Sequence, residues 1–425
     1  MADPKPKKSA RTKAAGALGE LAAKASQAAG RGTGVAIAGR VMLKLHPNAV
    51  EELAADRDVV VITGTNGKTT TTRLIRVALQ TQGPVASNET GANMQNGIAI
   101  ALHRNPAKQV VLEVDEQFVP GVVKDTHPKV IALTNLSRDQ LDRVAEVAAV
   151  GATLGNAFAN LPSDGAVVAN ADDPLVVKAA LQAPHQVWVR AGQWWTADST
   201  VCPWCGELLD RTDGVWSCVC GRRRPDTDWV VDDHTLHTPD GRALPIELQL
   251  PGRANRANAG LATAAAAFLG VDPATALHAM SSVQEVAGRN ARYKLGNQTV
   301  RVLLAKNPAG WRELLNMVSE SNAPLVIAIN SRAADSKDVS WLWDVDFENL
   351  AGRQVVAAGE RCHDMALRLN VAGLGGTAGV PVRERVEDAL KLLPDGDVYV
   401  VGSYTQFYDT SAWLRAKATA LDGEE

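Results

Sequence analysis

The chain has 425 residues, 46% of them hydrophobic and 21% charged, with a net charge of −3. At about 150 residues per domain, that length predicts two or three domains with sizeable cores, and the near-neutral balance gives no support for a general nucleic-acid binder. No apolar run approaches the ~20 residues that cross a bilayer, the basic stretch Met1–Ala15 lacks the apolar core of a secretory signal, and five cysteines are too few for a disulfide scaffold; the cytoplasm is the expected compartment.

Residues 1–50 read as a basic N-terminal segment with a helix over Ala14–Ala29. Its cationic side chains are expected to be solvated. The second reading is a contact with the inner face of the plasma membrane, where each basic residue contributes about 1 kcal/mol. Asp58–Thr63 is a run of β-branched residues ending at a glycine turn, the pattern of a buried parallel strand. Thr69–Gln82 then reads as a helix that stops at Gly83. Gln109–Val114, Lys129–Thr134 and Ala166–Asn170 repeat the strand pattern. Strands separated by helices imply an α/β domain, a parallel sheet covered on both faces. The pattern breaks between Val187 and Pro245, where cysteine, tryptophan and turn residues suggest an insertion, with a four-cysteine ribbon over about 198–227. An Ala-rich helix returns at Asn255–Leu269. A second α/β unit is expected from residue 295, with strands at Val300–Leu304, Leu325–Ile329, Gln354–Ala358 and Val398–Val401. The expected division is thus 1–50, 51–294 and 295–425.

Between the first strand and its helix lies Gly64-Thr65-Asn66-Gly67-Lys68-Thr69-Thr70. A strand, a glycine loop and a helix N-terminus in that order aim backbone N–H groups at an anion. Lys68 is placed to reach the β- and γ-phosphates of ATP, and the Thr69 hydroxyl to bind Mg²⁺. The generic motif has its first glycine where Ile62 stands here, so the loop is a shortened variant. The cysteines pair as Cys202-Pro203-Trp204-Cys205 and Cys218-Val219-Cys220. Four thiolates suit a closed structural zinc site (Zn²⁺); reduced, unliganded thiols are the other reading. His234 and His237 are near enough in sequence to substitute as ligands, but are expected on a surface turn. Cys362 is expected to be a buried packing residue.

Thr63–Thr70 resembles the ATP loop of Mur ligases and folylpolyglutamate synthases. By that resemblance Glu113 is the Mg²⁺-binding glutamate, Asn170-Ala171-Asp172-Asp173-Pro174 is the turn after a central strand, and Pro251–Asn258 places Asn255 near adenine, with Asn258 as a helix-packing partner. Helix capping is the competing reading for both asparagines. Four further segments are similar to the MurT branch of the family. In Asn135-Leu136-Ser137-Arg138-Asp139-Gln140-Leu141-Asp142-Arg143, Gln140 stands where the amino-acid-adding ligases have histidine. The cysteine insertion is the second, although its second pair has one intervening residue where the branch has two. In Ala305-Lys306-Asn307-Pro308-Ala309-Gly310, Lys306 replaces a histidine and Leu303 a ribose-binding aspartate. The last is Asp338-Val339-Ser340-Trp341-Leu342-Trp343-Asp344-Val345-Asp346-Phe347. The resemblance runs from about Gly30 to the C-terminus.

The resemblance implies a Mur ligase-type central ATPase domain with a parallel sheet and an inserted four-cysteine zinc ribbon, followed by a C-terminal α/β domain. It implies ATP-dependent amidation of D-isoglutamate in the lipid II stem peptide, with ammonia from a GatD-type glutamine amidotransferase subunit. Lys68 and Glu113 would serve phosphoryl transfer. Asp344, with Asp346 as the fallback, would orient the amidotransferase histidine across the interface; Trp341 and Trp343 read as natural interface anchors, with core packing an equally common reading. A stand-alone amino-acid ligase of the Mur or folylpolyglutamate type is the first alternative. A zinc-ribbon nucleic-acid binder using Arg222-Arg223-Arg224 is the second.

Overall fold

The computed structural model describes residues 9–28, 34–88, 92–138, 147–212, 214–283, 290–319, 321–335 and 337–421. The chain divides into two compact units, one of residues 1–136 and 146–284, the other of residues 137–145 and 285–425. Among the described residues, no helix is long and apolar enough to cross a membrane.

In the first unit, Val59–Ile62 have no exposed surface on either face, which is why a continuous apolar run rather than an alternating one marks this strand. The strands are β1 (Asp58–Thr63), β2 (Val85–Ser87), β3 (Gln109–Glu113), β4 (Val130–Leu133), β5 (Ala166–Asn170), β6 (His185–Arg190), β7 (Trp229–Asp232), β8 (Thr235–His237) and β9 (Ala243–Pro245). They form one sheet in the order β2-β3-β1-β4-β5-β6-β7-β8-β9. Pairing is parallel from β2 to β7, and antiparallel between β7, β8 and β9. The expectation of a wholly parallel sheet is therefore corrected: the sheet is mixed. The insertion is also smaller than Val187–Pro245, because β6 to β9 extend the sheet and the ribbon lies between β6 and β7. His-Gln-Val-Trp-Val-Arg of β6 is only partly covered along most of its length, so it lacks the apolar run that marked β1.

Residues of the N-terminal segment pack into this same unit. The helix Ala10–Ala28 buries Ala15 and Ala23. Thr12 Oγ1 donates to Glu52 Oε2 at 2.6 Å, and Glu20 pairs with Arg104 at 2.8 Å. The helix begins at Ala10 rather than Ala14 and is packed against this unit, whereas the basic residues 1–8 lie outside the described residues.

The second unit holds β10 (Asn290–Leu295), β11 (Gln298–Leu304), β12 (Leu325–Ala328), β13 (Val355–Ala358), β14 (Val382–Arg383), β15 (Gly396–Gly402) and β16 (Thr419–Ala420). Their order is β14-β13-β12-β15-β11-β10-β16, with β10 antiparallel to both neighbours. This unit starts before the expected residue 295, since β10 belongs to its sheet. In β10, Tyr293 is fully buried among charged and polar neighbours, too thin an apolar pattern to read from sequence.

Candidate functional site

β1 ends at Thr63, and the chain turns through Gly64 (φ 123°) and Gly67 (φ 85°) before the helix Lys68–Gln80 begins. Both glycines occupy backbone that disfavours side chains. A Cβ at Gly64 would lie 2.3 Å from Thr134 Oγ1, and one at Gly67 would lie 2.7 Å from Asn258 Oδ1. The loop is thus wedged between the end of β4 and the helix Arg253–Phe268, leaving its backbone as the surface a phosphate would meet. Asn135 holds it from beneath: its Oδ1 accepts Asn66 N at 3.0 Å, its Nδ2 donates to Asn66 O at 2.8 Å, and its carbonyl accepts Thr65 N at 2.9 Å. Thr134 Oγ1 donates to the same Asn66 O at 2.8 Å.

Lys68 Nζ curls over the loop, donating to Gly64 O at 2.5 Å, Thr65 O at 3.2 Å and Glu116 Oε2 at 3.2 Å. Glu113 ends β3 beside β1 and is 4% exposed. Asn88 fixes its backbone on both sides, with Glu113 N donating to Asn88 Oδ1 at 2.9 Å and Asn88 Nδ2 donating to Glu113 O at 2.7 Å. Asn93 Nδ2 donates to Glu113 Oε1 at 3.3 Å. The donor set fits ATP with Mg²⁺: a glycine cradle that a Cβ would fill, a lysine at its mouth, a threonine hydroxyl next in sequence, and an oriented carboxylate on the neighbouring strand. Glu116, Asn88, Asn93, Thr134 and Asn135 were not marked from sequence as site residues. Asn135 stood inside a quoted motif, but its grip on Asn66 exists only because β4 lies beside β1.

Asn255, expected near adenine, and Asn258, expected as its helix-packing partner, occupy different surroundings. Asn255 Nδ2 donates to Pro251 O at 2.6 Å on the surface, a local bond at the helix start. Asn258 is buried against Gly67, so it packs on the loop as well as within its helix.

The turn Asn170–Asp173 follows β5. Asp173 is 1% exposed; its Oδ1 accepts Leu175 N and Val176 N, capping the helix Pro174–Ala180, and its Oδ2 accepts Leu136 N at 3.0 Å. Burial pushes its carboxyl up to about 6, against the pull of these N–H donors. Asp172 accepts Gly192 N at 2.7 Å and Arg224 Nη1 at 2.9 Å. Arg224 is thereby directed into the protein rather than toward an outside polyanion.

The four ribbon cysteines come together, with all four Sγ atoms within 4.8 Å of one another. Cys202 and Cys220 are 3.7 Å apart, and Cys205 and Cys218 3.4 Å. Ligands at ~2.3 Å around a tetrahedral ion would be about 3.8 Å apart, so the single-residue spacing in Cys218-Val219-Cys220 does not prevent closure. Among the described residues this quartet is the one cluster of three or more His, Cys, Asp or Glu side chains close enough to share a metal ion; His234 lies exposed beside Asp233. Cys362 is buried, and burial raises its thiol.

In the second unit, the two tryptophans of the acidic motif part ways. Trp341 is 6% exposed and stacks on Trp311 at 5.7 Å, so it is core rather than an interface anchor. Trp343 is 56% exposed, with the Arg368 guanidinium 5.5 Å from its ring. Asp344 and Asp346 are exposed, and Asp344 Oδ2 lies 3.5 Å from Arg138 Nη1. Asp139, Gln140, Leu141, Asp142 and Arg143 lie outside the described residues. Leu303 is core, Lys306 Nζ lies 5.1 Å from the Tyr404 ring, and Asn307 Oδ1 accepts Gly310 N at 2.8 Å at the start of the helix Pro308–Ser319.

Two family descriptions match the chain, the Mur ligase middle domain over residues 62–266 and the MurT ligase C-terminal region over residues 304–407. The lipid II isoglutaminyl synthase (glutamine-hydrolyzing) subunit MurT of Staphylococcus aureus is 30% identical over 384 residues, covering 84% of this chain and 86% of its own. The subunit of the same name from Streptococcus pneumoniae is 29% identical over 421 residues, covering 91% and 93%. Among solved structures, a pseudomurein peptide ligase type C from Methanothermus fervidus superimposes with a TM-score of 0.67 at 18% identity, covering 86% of this chain and 81% of that one. MurF from Acinetobacter baumannii gives 0.65 at 16% identity, covering 90% and 80%. These two likenesses concern the fold.

Proposed function

The chain belongs to the MurT family of Mur ligases and is an ATP-dependent ligase, and from that premise we propose that it amidates the α-carboxylate of D-isoglutamate in the lipid II stem peptide, giving D-isoglutamine. A carboxylate is a poor electrophile, so its oxygen first takes the γ-phosphoryl group of ATP, releasing ADP. Ammonia then attacks the acyl phosphate carbon, loses a proton and expels phosphate. Gly64–Gly67 and the N-terminus of the helix Lys68–Gln80 cradle the phosphates, and Lys68 exchanges its contacts with the loop carbonyls and Glu116 for phosphate oxygens, offsetting charge as it shifts. Thr69 and Glu113 would hold Mg²⁺, which supplies neutralising charge between the phosphates when bound.

What carries the reading of ammonia as an imported substrate is the state of the chain's cysteines. Four of the five are gathered at the ribbon and the fifth, Cys362, is buried, which leaves no accessible thiol outside that cluster to act as a glutaminase nucleophile. A separate GatD-type amidotransferase subunit would supply the nitrogen, and exposed Asp344 would orient that subunit's catalytic histidine. The quartet would hold structural Zn²⁺ with no open coordination position. A substrate carried on a lipid would bring the enzyme to the inner face of the plasma membrane.

Co-expression with a glutamine amidotransferase subunit tests this directly. A stable complex that forms stem-peptide amide from glutamine only when ATP is present is the expected result. Incorporation of a whole amino acid by the isolated chain, without amide formation, would transfer the assignment to a stand-alone ligase. Metal analysis of protein purified without chelator should return one zinc per chain, and a metal-free, folded protein would remove the zinc.

A further inference from the structure

The turn Asn170–Asp173 carries bonds in two directions within the first unit. Toward the ribbon, Trp216 Nε1 donates to Ala171 O at 2.9 Å, and Arg224 Nη1 reaches Asp172 Oδ1 at 2.9 Å. Both contacts originate in the cysteine fold: Trp216 is 2% exposed and stacks at 6.2 Å on Trp204, which lies between Cys202 and Cys205 in sequence. Arg224 N donates to Trp216 O at 3.0 Å. Toward the phosphate loop, Asp173 Oδ2 accepts Leu136 N at 3.0 Å, and the adjoining Asn135 grips Asn66 from both sides.

Contiguity alone does not couple two sites, but two physical features make this chain of contacts consequential. First, the ribbon has little of its own to hold it together. Its strand-type pairing is limited to the isolated bridges Val201↔Leu208, Asp210↔Ser217 and Ser217↔Arg223, beside turn bonds such as Cys202 N to Glu207 O and Cys218 N to Arg222 O, while Leu208 and Val219 are 75% and 88% exposed. A segment this short of core takes its order from a metal. Secondly, the carboxylate it reaches is costly to abandon. Asp172 is 8% exposed, so loss of Arg224 removes the ion-pair partner of a buried carboxylate and leaves it the Gly192 N–H at 2.7 Å and the charge of Arg211, which favours a shift of the turn toward water. Asp173, next in the chain, cannot move without altering its bond to Leu136.

We infer that the ribbon is a metal-dependent strut for the nucleotide loop, with Arg224, Asp172 and Asp173 as positioning residues that act on ATP through Leu136 and Asn135. The inference rests on the reading of the loop as a nucleotide site and of the quartet as a metal site.

Calorimetric titration of the full chain with Mg–ADP, alongside metal analysis and hydrogen exchange of peptides spanning 64–70 and 132–138, tests it. Arg224→Ala should retain its metal yet bind Mg–ADP about fivefold or more weakly, with faster exchange in both peptides. Arg224→Lys should recover part of the affinity. Trp216→Phe, which removes the Nε1 donor together with part of the buried ring, should weaken binding in the same direction, and its metal content separates loss of that donor from collapse of the ribbon. Chelation should weaken Mg–ADP binding by the parent, but add little to Arg224→Ala, because the strut is already cut. Parental affinity in Arg224→Ala and Trp216→Phe, or chelation and substitution effects that sum in full, would overturn the strut. The parent supplies separate controls: failure to bind Mg–ADP refutes the nucleotide-loop reading itself, whereas undiminished affinity for Mg–ADP after the ribbon metal has been stripped and the chelator removed refutes the strut's metal dependence.

Discussion

The phosphate loop and the Trp341–Asp346 segment are both short motifs built around a few polar groups, yet the fold handles them oppositely. The loop is enclosed by its own unit: Glu113 is 4% exposed, and the Asn66 backbone is held on both sides by Asn135. The acidic segment is left open. Trp343 is 56% exposed, and the Asp344 side chain keeps 36% of its surface, with Arg138 beside it. A site completed within one chain can be preorganised by burying its donors and acceptors in mutual bonds. A carboxylate awaiting a second protein stays in water until that surface arrives, because burying it without a full set of partners is costly.

The largest effect should come from the open segment. Asp344→Asn is expected to lower glutamine-driven amidation by roughly 10⁴-fold, as loss of a triad's orienting acid can do, while the complex stays intact and ammonia-driven amidation continues. Comparing turnover on the two nitrogen sources checks this; parental glutamine hydrolysis would remove the role, and equal loss on both sources would move Asp344 into the ligase chemistry. Lys68→Ala should do the reverse, lowering turnover by about 10²–10³-fold with either nitrogen source and leaving the circular-dichroism spectrum unchanged. A variant that still amidates at the parental rate would dissolve the contrast.

Smaller effects sharpen it. Trp343→Ala should weaken association with the amidotransferase by about 2 kcal/mol, or roughly 30-fold in Kd, with no change in the melting temperature of the isolated chain. Trp341→Ala should instead lower that stability by about 3–5 kcal/mol, because Trp341 lies in the core against Trp311. Equal outcomes for the two tryptophans would contradict their opposite burial. The smallest effect belongs to Asp173, whose carboxyl rises from 3.8 to about 6 through burial. The folded chain then binds a proton more readily than the unfolded chain between those values. Its contribution to stability is fully present below 3.8 and is lost as pH rises through about 6. Denaturant midpoints of the parent and Asp173→Asn, measured from pH 4 to pH 7, should diverge through that window; parallel curves would show that burial does not control this group.

Much of this was written locally in the chain. The β-branched run Asp58–Thr63, the glycine loop and the helix after it are consecutive, and each is dictated by its own side chains. The paired cysteine spacings likewise announced a cluster before its geometry was known; family resemblance supplied Glu113 and Asn255, and the pairing of carboxylates with tryptophans in a chain without an evident glutaminase cysteine supplied Asp344. The Ala10–Ala28 helix was legible as a helix, but not as part of the first unit, because its contacts to Glu52 and Arg104 join positions far apart in sequence. Strands β6 and β10 were hidden because half-covered or charged strands lack the apolar pattern of a central one.

The sequence by itself determined a strand–loop–helix phosphate cradle, a cysteine quartet and two α/β units, since each follows from the spacing and chemistry of neighbouring residues. Tertiary structure decided that β1 lies between β3 and β4, which brings Glu113 and Asn135 to the loop, that Trp341 is buried and Trp343 exposed, and that one turn touches both the ribbon and the loop support. The reason is physical: helix and strand periodicity act over a few residues, whereas the neighbours of a strand in a parallel sheet are set by crossovers that return segments from tens of residues away.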